Sequence, residues 1–287
     1  MKARIITGAF IVAVTLICLF LFDTVFFTLA ICLICGVSVY EVSLATGTRD
    51  YKALLILNMV FSMLAPLFGM DIFGVFVLEP IVVIAVYTIL LAVVMIWQHS
   101  RIALEKMAVN LMLTMVVSFG MGSMIYIRSS TETKGIYPFA GLLYIVLIFV
   151  GAWITDAGAY FTGVLFGKHK MSPNISPKKT WEGAAGGLVF CIVFFTVAAY
   201  IYKALILKDF GTISYTAVAL MAVPVAVVSM IGDLFASTVK RSCGVKDFGK
   251  IMPGHGGVLD RFDSILLVAP LMLAMSHYVP MISITIN

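Results

Sequence analysis

The sequence predicts an all-α, polytopic integral membrane protein with about nine transmembrane helices and a cytoplasmic N-terminus. Three observations predict it. Of the 287 residues, 62% are hydrophobic and 11% charged, with a mean hydropathy of +1.11; a soluble domain carries about a quarter charged residues. The apolar residues form long runs rather than alternating, as helices crossing a bilayer do. Lys and Arg are also partitioned. With the N-terminus inside, fifteen of the 19 fall in inside segments and four outside, the bias expected of cytoplasmic loops.

The predicted spans are 5–22, 24–40, 53–70, 75–97, 107–127, 137–158, 184–202, 212–236 and 264–284. Met1-Lys2-Ala3-Arg4 before an apolar run resembles the start of a signal peptide. The run is long enough to span, however, and no clear small-residue cleavage site precedes the next one, so it is read as the first span. Asp23 and its neighbours separate the first two spans, which suits a tight helical hairpin. Glu79-Pro80 falls near the start of the fourth, where proline is best tolerated. Gly120 and Gly122 lie in the fifth. The expected organisation is residues 1–135 as N-terminal transmembrane helices and 136–287 as a C-terminal catalytic region, with cytoplasmic loops 167–183 and 237–263.

The five cysteines, at 18, 32, 35, 191 and 243, do not form a disulfide framework; four sit inside apolar runs. Cys32 and Cys35 share one helical face and read as small packing residues. The net charge of +5 reports loops near anionic lipid. No interleaving of basic and aromatic residues suggests a nucleic-acid partner.

Against this apolar background, the stretch from Gly232 to Ser264 stands out. It holds Asp233, Lys240, Arg241, Lys246, Asp247, Lys250, His255, Asp260, Arg261 and Asp263, with glycines at 244, 249, 254, 256 and 257. Acids hold divalent cations, bases bind phosphate, and glycines let backbone amides approach an anion. Together they point to metal-dependent phosphoryl or nucleotidyl transfer at a membrane surface. Asp233 ends the eighth span and Asp260 and Asp263 precede the ninth, so a loop that folds back would bring the acids together. Two or three carboxylates suit Mg²⁺, which keeps waters for substrate phosphates. Arg261 can clamp a phosphate bidentately. Ion pairs that tie the loop down account for some of these charges. His255, between glycines, suits phosphate contact or proton transfer; His99, His169 and His277 are assigned no role.

Two upstream segments add to the set. Asp156 sits at the edge of the sixth span, where an unpaired carboxylate is costly, among the small residues Ala157, Gly158, Ala159 and Gly163. Ser172-Pro-Asn-Ile-Ser-Pro-Lys-Lys-Thr-Trp-Glu-Gly183 is a stiff loop with two X-Pro pairs. Thr180 can cap a helix starting near Trp181, which places Lys178 and Lys179 at a helix start favourable to anions.

At Ser237-Thr-Val-Lys-Arg241, Lys246-Asp247 and His255-Gly-Gly-Val-Leu-Asp-Arg-Phe-Asp263, the sequence resembles the phosphatidate cytidylyltransferases, also called CDP-diacylglycerol synthases. Every fixed position of that family's pattern is present at the expected spacing over 27 residues. Asp156-Ala-Gly-Ala-Tyr160 and Ser176-Pro-Lys-Lys-Thr-Trp-Glu-Gly183 also look like family segments, so the resemblance is strong from Trp153 to Ser264. The first 130 residues match only as hydrophobic spans.

The resemblance implies that CTP and phosphatidic acid give CDP-diacylglycerol and pyrophosphate, with Mg²⁺ needed and Asp156 and Asp263 supporting or ligating a second cation. It implies roles for Asp233, Asp260, Lys240, Arg241, His255 and Arg261 in catalysis. Lys178, Lys179, Ser237, Lys246, Asp247, Gly256 and Gly257 would bind substrate, and Asp233, Asp260, Asp263 and Asp156 metal. The expected setting is a bacterial inner (plasma) membrane with the site on the cytoplasmic side. Small residues in several spans permit a homodimer without requiring one. Two other readings stay open at this level: a CTP-dependent lipid kinase, whose hydroxyl nucleophile would need a base such as His255 or Asp263, and a secondary transporter.

Overall fold

The structure, a computed structural model, describes residues 2–68, 71–72, 76–77, 79–133, 140–252, 254, 256–279 and 281–284. His255, read above as a phosphate contact or proton-transfer group, lies outside the described residues. In chain order the elements are α1 (Lys2–Phe20), α2 (Val25–Ala45), α3 (Lys52–Leu64) with a 3-10 turn at Ala65–Leu67, strands β1 (Asp71–Ile72) and β2 (Phe76–Val77), α4 (Pro80–Gln98) and α5 (Leu104–Thr133). Next come α6 (Ala140–Phe149), a π-helical turn at Val150–Ile154, α7 (Thr155–Phe166), β3 (Lys170–Ser172), β4 (Ser176–Thr180) and α8 (Trp181–Tyr202). After β5 (Gly211–Ile213) follow α9 (Tyr215–Ser242), the short α10 (Leu259–Phe262), α11 (Ile265–Tyr278) and β6 (Ile282–Ile284).

The chain is a helical, multi-pass membrane protein. Among the described residues, six segments are long and apolar enough to cross a bilayer: Val25–Ala45, Pro80–Gln98, Leu104–Ser129, Gly141–Phe166, Trp181–Phe210 and Tyr215–Ser242. Thr7–Phe20 and Lys52–Leu67 are shorter apolar helices. Among the described residues the strands form three antiparallel two-stranded pairs, β1–β2, β3–β4 and β5–β6.

Local chemistry sets several helix ends. Pro80 opens α4 at the first turn, where its missing N–H is not needed. Thr180 caps α8, its hydroxyl accepting from Gly183 N at 3.1 Å. Just beyond α2, Gly47 takes a φ of +69°, which lets Thr48 N return to Ser43 O at 2.9 Å. Two helices run past the predicted ends of their spans. α7 continues to Phe166 rather than stopping near 158, and α9 to Ser242 rather than 236. Ser237, Lys240 and Arg241 are therefore helical rather than part of a loop.

The chain divides into two compact units. Residues 1–125 and 242–262 form one, and residues 126–241 and 263–287 the other.

In the first unit, an apolar core gathers Leu54, Phe61, Phe68, Tyr87, Leu91, Ile102 and Met107. Phe61 stacks on Tyr87 with ring centroids 3.9 Å apart. Beside them lies a buried polar chain. Tyr87 OH donates to Asn58 Oδ1 (2.9 Å), Asn58 Nδ2 to Asn110 Oδ1 (2.6 Å), and Asn110 Nδ2 to Thr48 Oγ1 (2.7 Å). Amides inside a bilayer need partners from the protein itself.

In the second unit, α6, the π turn and α7 run on as one helix. α8 packs along α7 through small residues. A Cβ on Gly187 would lie 2.8 Å from Thr155 O, and one on Gly183 2.7 Å from Ala159 O, so the two backbones approach as closely as glycine permits. Ile145, Phe195, Val225 and Met272 are fully enclosed in this unit's core.

Candidate active site

Asp156 lies in the first turn of the largely apolar α7. It follows directly on the π turn Val150–Ile154, an irregularity often found at functional sites. Its Oδ2 accepts from Ser264 Oγ at 3.2 Å, and it lies within Coulombic reach of Asp233, Asp263 and Lys179. The small residues of the α7–α8 crossing leave room beside it.

The β3–β4 hairpin brings the cations. Lys170 pairs with Thr180 and Ser172 with Ser176, which places Lys178 and Lys179 on β4 immediately before the capped start of α8. Lys178 is exposed and Lys179 half-buried. Lys179 Nζ meets Asp233 Oδ2 at 2.6 Å and reaches Met230 O at 3.5 Å. The hairpin's base is closed by Glu182, which takes the backbone amides of Lys168 and His169 and lies 2.5 Å from His169 Nδ1.

Helix α9 supplies the remaining charges of this unit. Asp233 Oδ1 accepts from Ser237 Oγ at 3.4 Å, one turn on. Lys240 is buried at 8% exposure and pairs with Asp263 Oδ2 at 3.7 Å; Asp263 Oδ1 accepts from Ser264 N at 2.8 Å. Three carboxylates (Asp156, Asp233, Asp263) thus alternate with two lysines. Beside them is a cavity of about 410 Å³. Its lining includes the charged Asp156, Asp233, Lys178 and Lys179 and the apolar or aromatic Tyr160, Val164, Met171 and Met230. Such a cavity can hold an anionic group that carries an apolar body.

In the first unit, the loop after α9 is folded on its own acid. Asp260 Oδ2 accepts from Phe248 N and Gly257 N, each at 2.9 Å, and the residue is 7% exposed. Gly256 holds a left-handed φ of +85° at this turn, which an L side chain rarely adopts. A second carboxylate enters from α2: Glu41 accepts from Val258 N (3.0 Å) and Leu259 N (2.8 Å). Lys246 and Asp247 are exposed on this loop, and Arg261 is half-buried in α10.

The profile of the cytidylyltransferase family matches residues 2–279. The chain belongs to the cytidylyltransferase family. Among curated proteins, the phosphatidate cytidylyltransferase of Bacillus subtilis (strain 168) is 45% identical over 130 residues, covering 45% of this chain and 46% of the relative. That of Thermotoga maritima is 39% identical over 137 residues (47% and 49%), and that of Haemophilus influenzae 38% over 133 residues (46% and 45%). The chain spans about half the length of the curated relatives it matches.

The residues read from sequence as a site fall into two described sets. Asp156, Lys178, Lys179, Asp233, Ser237, Lys240, Arg241 and Asp263 belong to the second unit, and Lys246, Asp247, Gly256, Gly257, Asp260 and Arg261 to the first. Among the described residues, no three His, Cys, Asp or Glu side chains are gathered so as to hold a metal between them. The donor chemistry of Asp156, Asp233 and Asp263 nonetheless fits a hard cation. All are carboxylate oxygens, and a Mg²⁺ ion would fill its remaining positions with water or substrate oxygens.

Glu41 is the residue the sequence reading missed. An acid within the last turns of an apolar helix is a signal in itself, and it was present in the sequence. Its partners, more than 200 positions downstream, were not.

Proposed function

We propose that this chain transfers the cytidylyl group of CTP to phosphatidic acid, giving CDP-diacylglycerol and pyrophosphate in phospholipid synthesis. The observation that carries the reading is the alternation of Asp156, Asp233 and Asp263 with Lys179 and Lys240 beside a cavity lined by both charged and apolar side chains. The names of the relatives supply the substrate class.

A phosphate monoester oxygen of the lipid attacks the α-phosphorus of CTP. A new P–O–P bond forms, the α–β phosphoanhydride breaks, and pyrophosphate leaves with the electron pair. The second pKa of a phosphomonoester is near 6, so the nucleophile is already ionised and needs no strong base. The protein's task is then alignment and charge neutralisation. Lys178 and Lys179 bind one phosphate at the hairpin, Lys240 and Arg241 another at the end of α9, and Ser237 orients Asp233. Mg²⁺, when bound, neutralises triphosphate charge; Asp233 with Asp156 and Asp263 would hold it and a second cation. From the loop, Asp260 is assigned to metal, Lys246 and Arg261 to phosphate, His255 to catalysis, and Asp247, Gly256 and Gly257 to substrate.

The membrane setting belongs to the same proposal. Nine spans with the N-terminus inside put the two polar loops on the cytoplasmic face, where CTP is available, in a bacterial inner membrane. The small-residue faces of several helices leave room for a homodimer.

One assay tests the reaction. Purified chain in detergent is given CTP, phosphatidic acid and Mg²⁺. Pyrophosphate release matched by CDP-diacylglycerol supports the reading. Transfer of the γ-phosphate to an alcohol makes the chain a kinase, and ion-coupled flux without CTP turnover makes it a transporter.

A further inference from the structure

We propose that Glu41 is a positioning residue: from helix α2 it holds the glycine turn that carries Asp260 in its working conformation. The inference rests on the reading above that this loop serves the transfer. All the observations lie within the first unit. The carboxylate of Glu41 is fully buried, at 0% exposure. It takes Val258 N and Leu259 N, the two amides that immediately precede Asp260. Gly249 and Gly257 press against the same group, and a Cβ on either would fall on Glu41's carboxylate atoms. Asp260 in turn draws Phe248 N and Gly257 N onto its own oxygen. One acid folds the loop on itself and the other fastens it to a membrane helix.

The choice of side chain is informative. An apolar residue would anchor α2 without the cost of burying a carboxylate. A carboxylate offers two acceptor oxygens to two converging amides. Glutamine offers one, and turns N–H donors toward the other amide. Both glycines are small where Glu41 is close, so the acid and the turn fit as a pair.

The test uses the full chain in detergent with CTP and phosphatidic acid. Glu41→Gln should lower kcat by about tenfold or more, the factor expected for losing a hydrogen bond to a charged group. The melting temperature should stay within a few degrees of wild type and the folded fraction should not change. Amide hydrogen exchange in the peptide spanning 248–262 should accelerate by a similar factor. Gly249→Ala, with Glu41 intact, should reproduce both changes, and the double variant should lose no more than either single variant, because both act on one contact. If Glu41→Gln does not fold, Gly249→Ala decides. Wild-type kcat per folded molecule in the variants, whether or not stability falls, overturns the inference. A wild-type chain that does not turn over CTP with phosphatidic acid overturns the underlying reading instead.

Discussion

Lys179 and Asp233 meet at 2.6 Å, fastening strand β4 to helix α9. Both side chains are partly exposed, at 21% and 28%, so the pair is accessible to a substrate phosphate as well as to each other. A phosphate that displaces Asp233 from Lys179 would free the carboxylate for a cation. Lys179→Met should therefore lower kcat/KM by roughly 10–100-fold, the range for losing a charge-assisted contact of about 1.5–3 kcal/mol. Lys179→Arg should restore part of it. Steady-state assays at saturating Mg²⁺ check this.

Asp233→Asn keeps the size of the side chain and removes its charge. Turnover should fall to background while the protein elutes as a folded species in detergent. Retained Mg²⁺-dependent activity would remove Asp233 from the metal set.

Asp260 separates two roles. Its Oδ2 serves two backbone amides, and an asparagine carbonyl could still accept them. Asp260→Asn should preserve the loop's hydrogen-exchange protection and yet lose activity by about 100-fold or more, as removal of a group that neutralises transition-state charge does. Full activity in Asp260→Asn would leave it a loop acceptor alone.

Gly187→Ala tests the α7–α8 crossing. The new methyl would stand 2.8 Å from Thr155 O, a backbone atom that cannot step aside. Overpacking of this kind costs about 1–3 kcal/mol. Thermal unfolding in detergent should show a lower midpoint.

Asn110→Ala tests the buried polar chain of the first unit. It strands Asn58 Nδ2, at about 1–3 kcal/mol for an unsatisfied buried group, and takes a donor from Thr48 Oγ1, which keeps Thr46 Oγ1. The melting temperature should drop while kcat per folded molecule is kept, since no substrate role falls on this network.

Helix starts were legible where a single side chain punctuates the chain. Pro80 and Thr180 each mark the first turn of a helix, and the structure begins α4 and α8 there. Helix ends were less so. Hydropathy reports where apolar side chains stop, whereas a helix stops where its backbone bonds do; α9 continues into the polar Ser237–Ser242 for that reason, and α7 runs on past Asp156 and Gly158 to Phe166. As a result Asp156 lies inside a continuous helical run, and Lys240 sits on helix beside Asp263. The small residues around Asp156 correctly signalled close helix approach. The π turn left no mark, because its residues are ordinary apolar ones. The grouping of residues 242–262 with the N-terminal helices was invisible too, since it is set by contacts between distant positions.

The reach from Glu41 to Leu259 spans 218 positions, and that separation governs how the protein is made. At translation speeds of about 5–20 residues per second, the acid leaves the ribosome roughly 10–40 s before the amides that it will bind. The early helices must enter the bilayer with this carboxylate still unmatched, and their unit is completed only when the polar segment arrives. A nascent chain arrested before residue 258 would lack this clasp, however well its first helices had inserted.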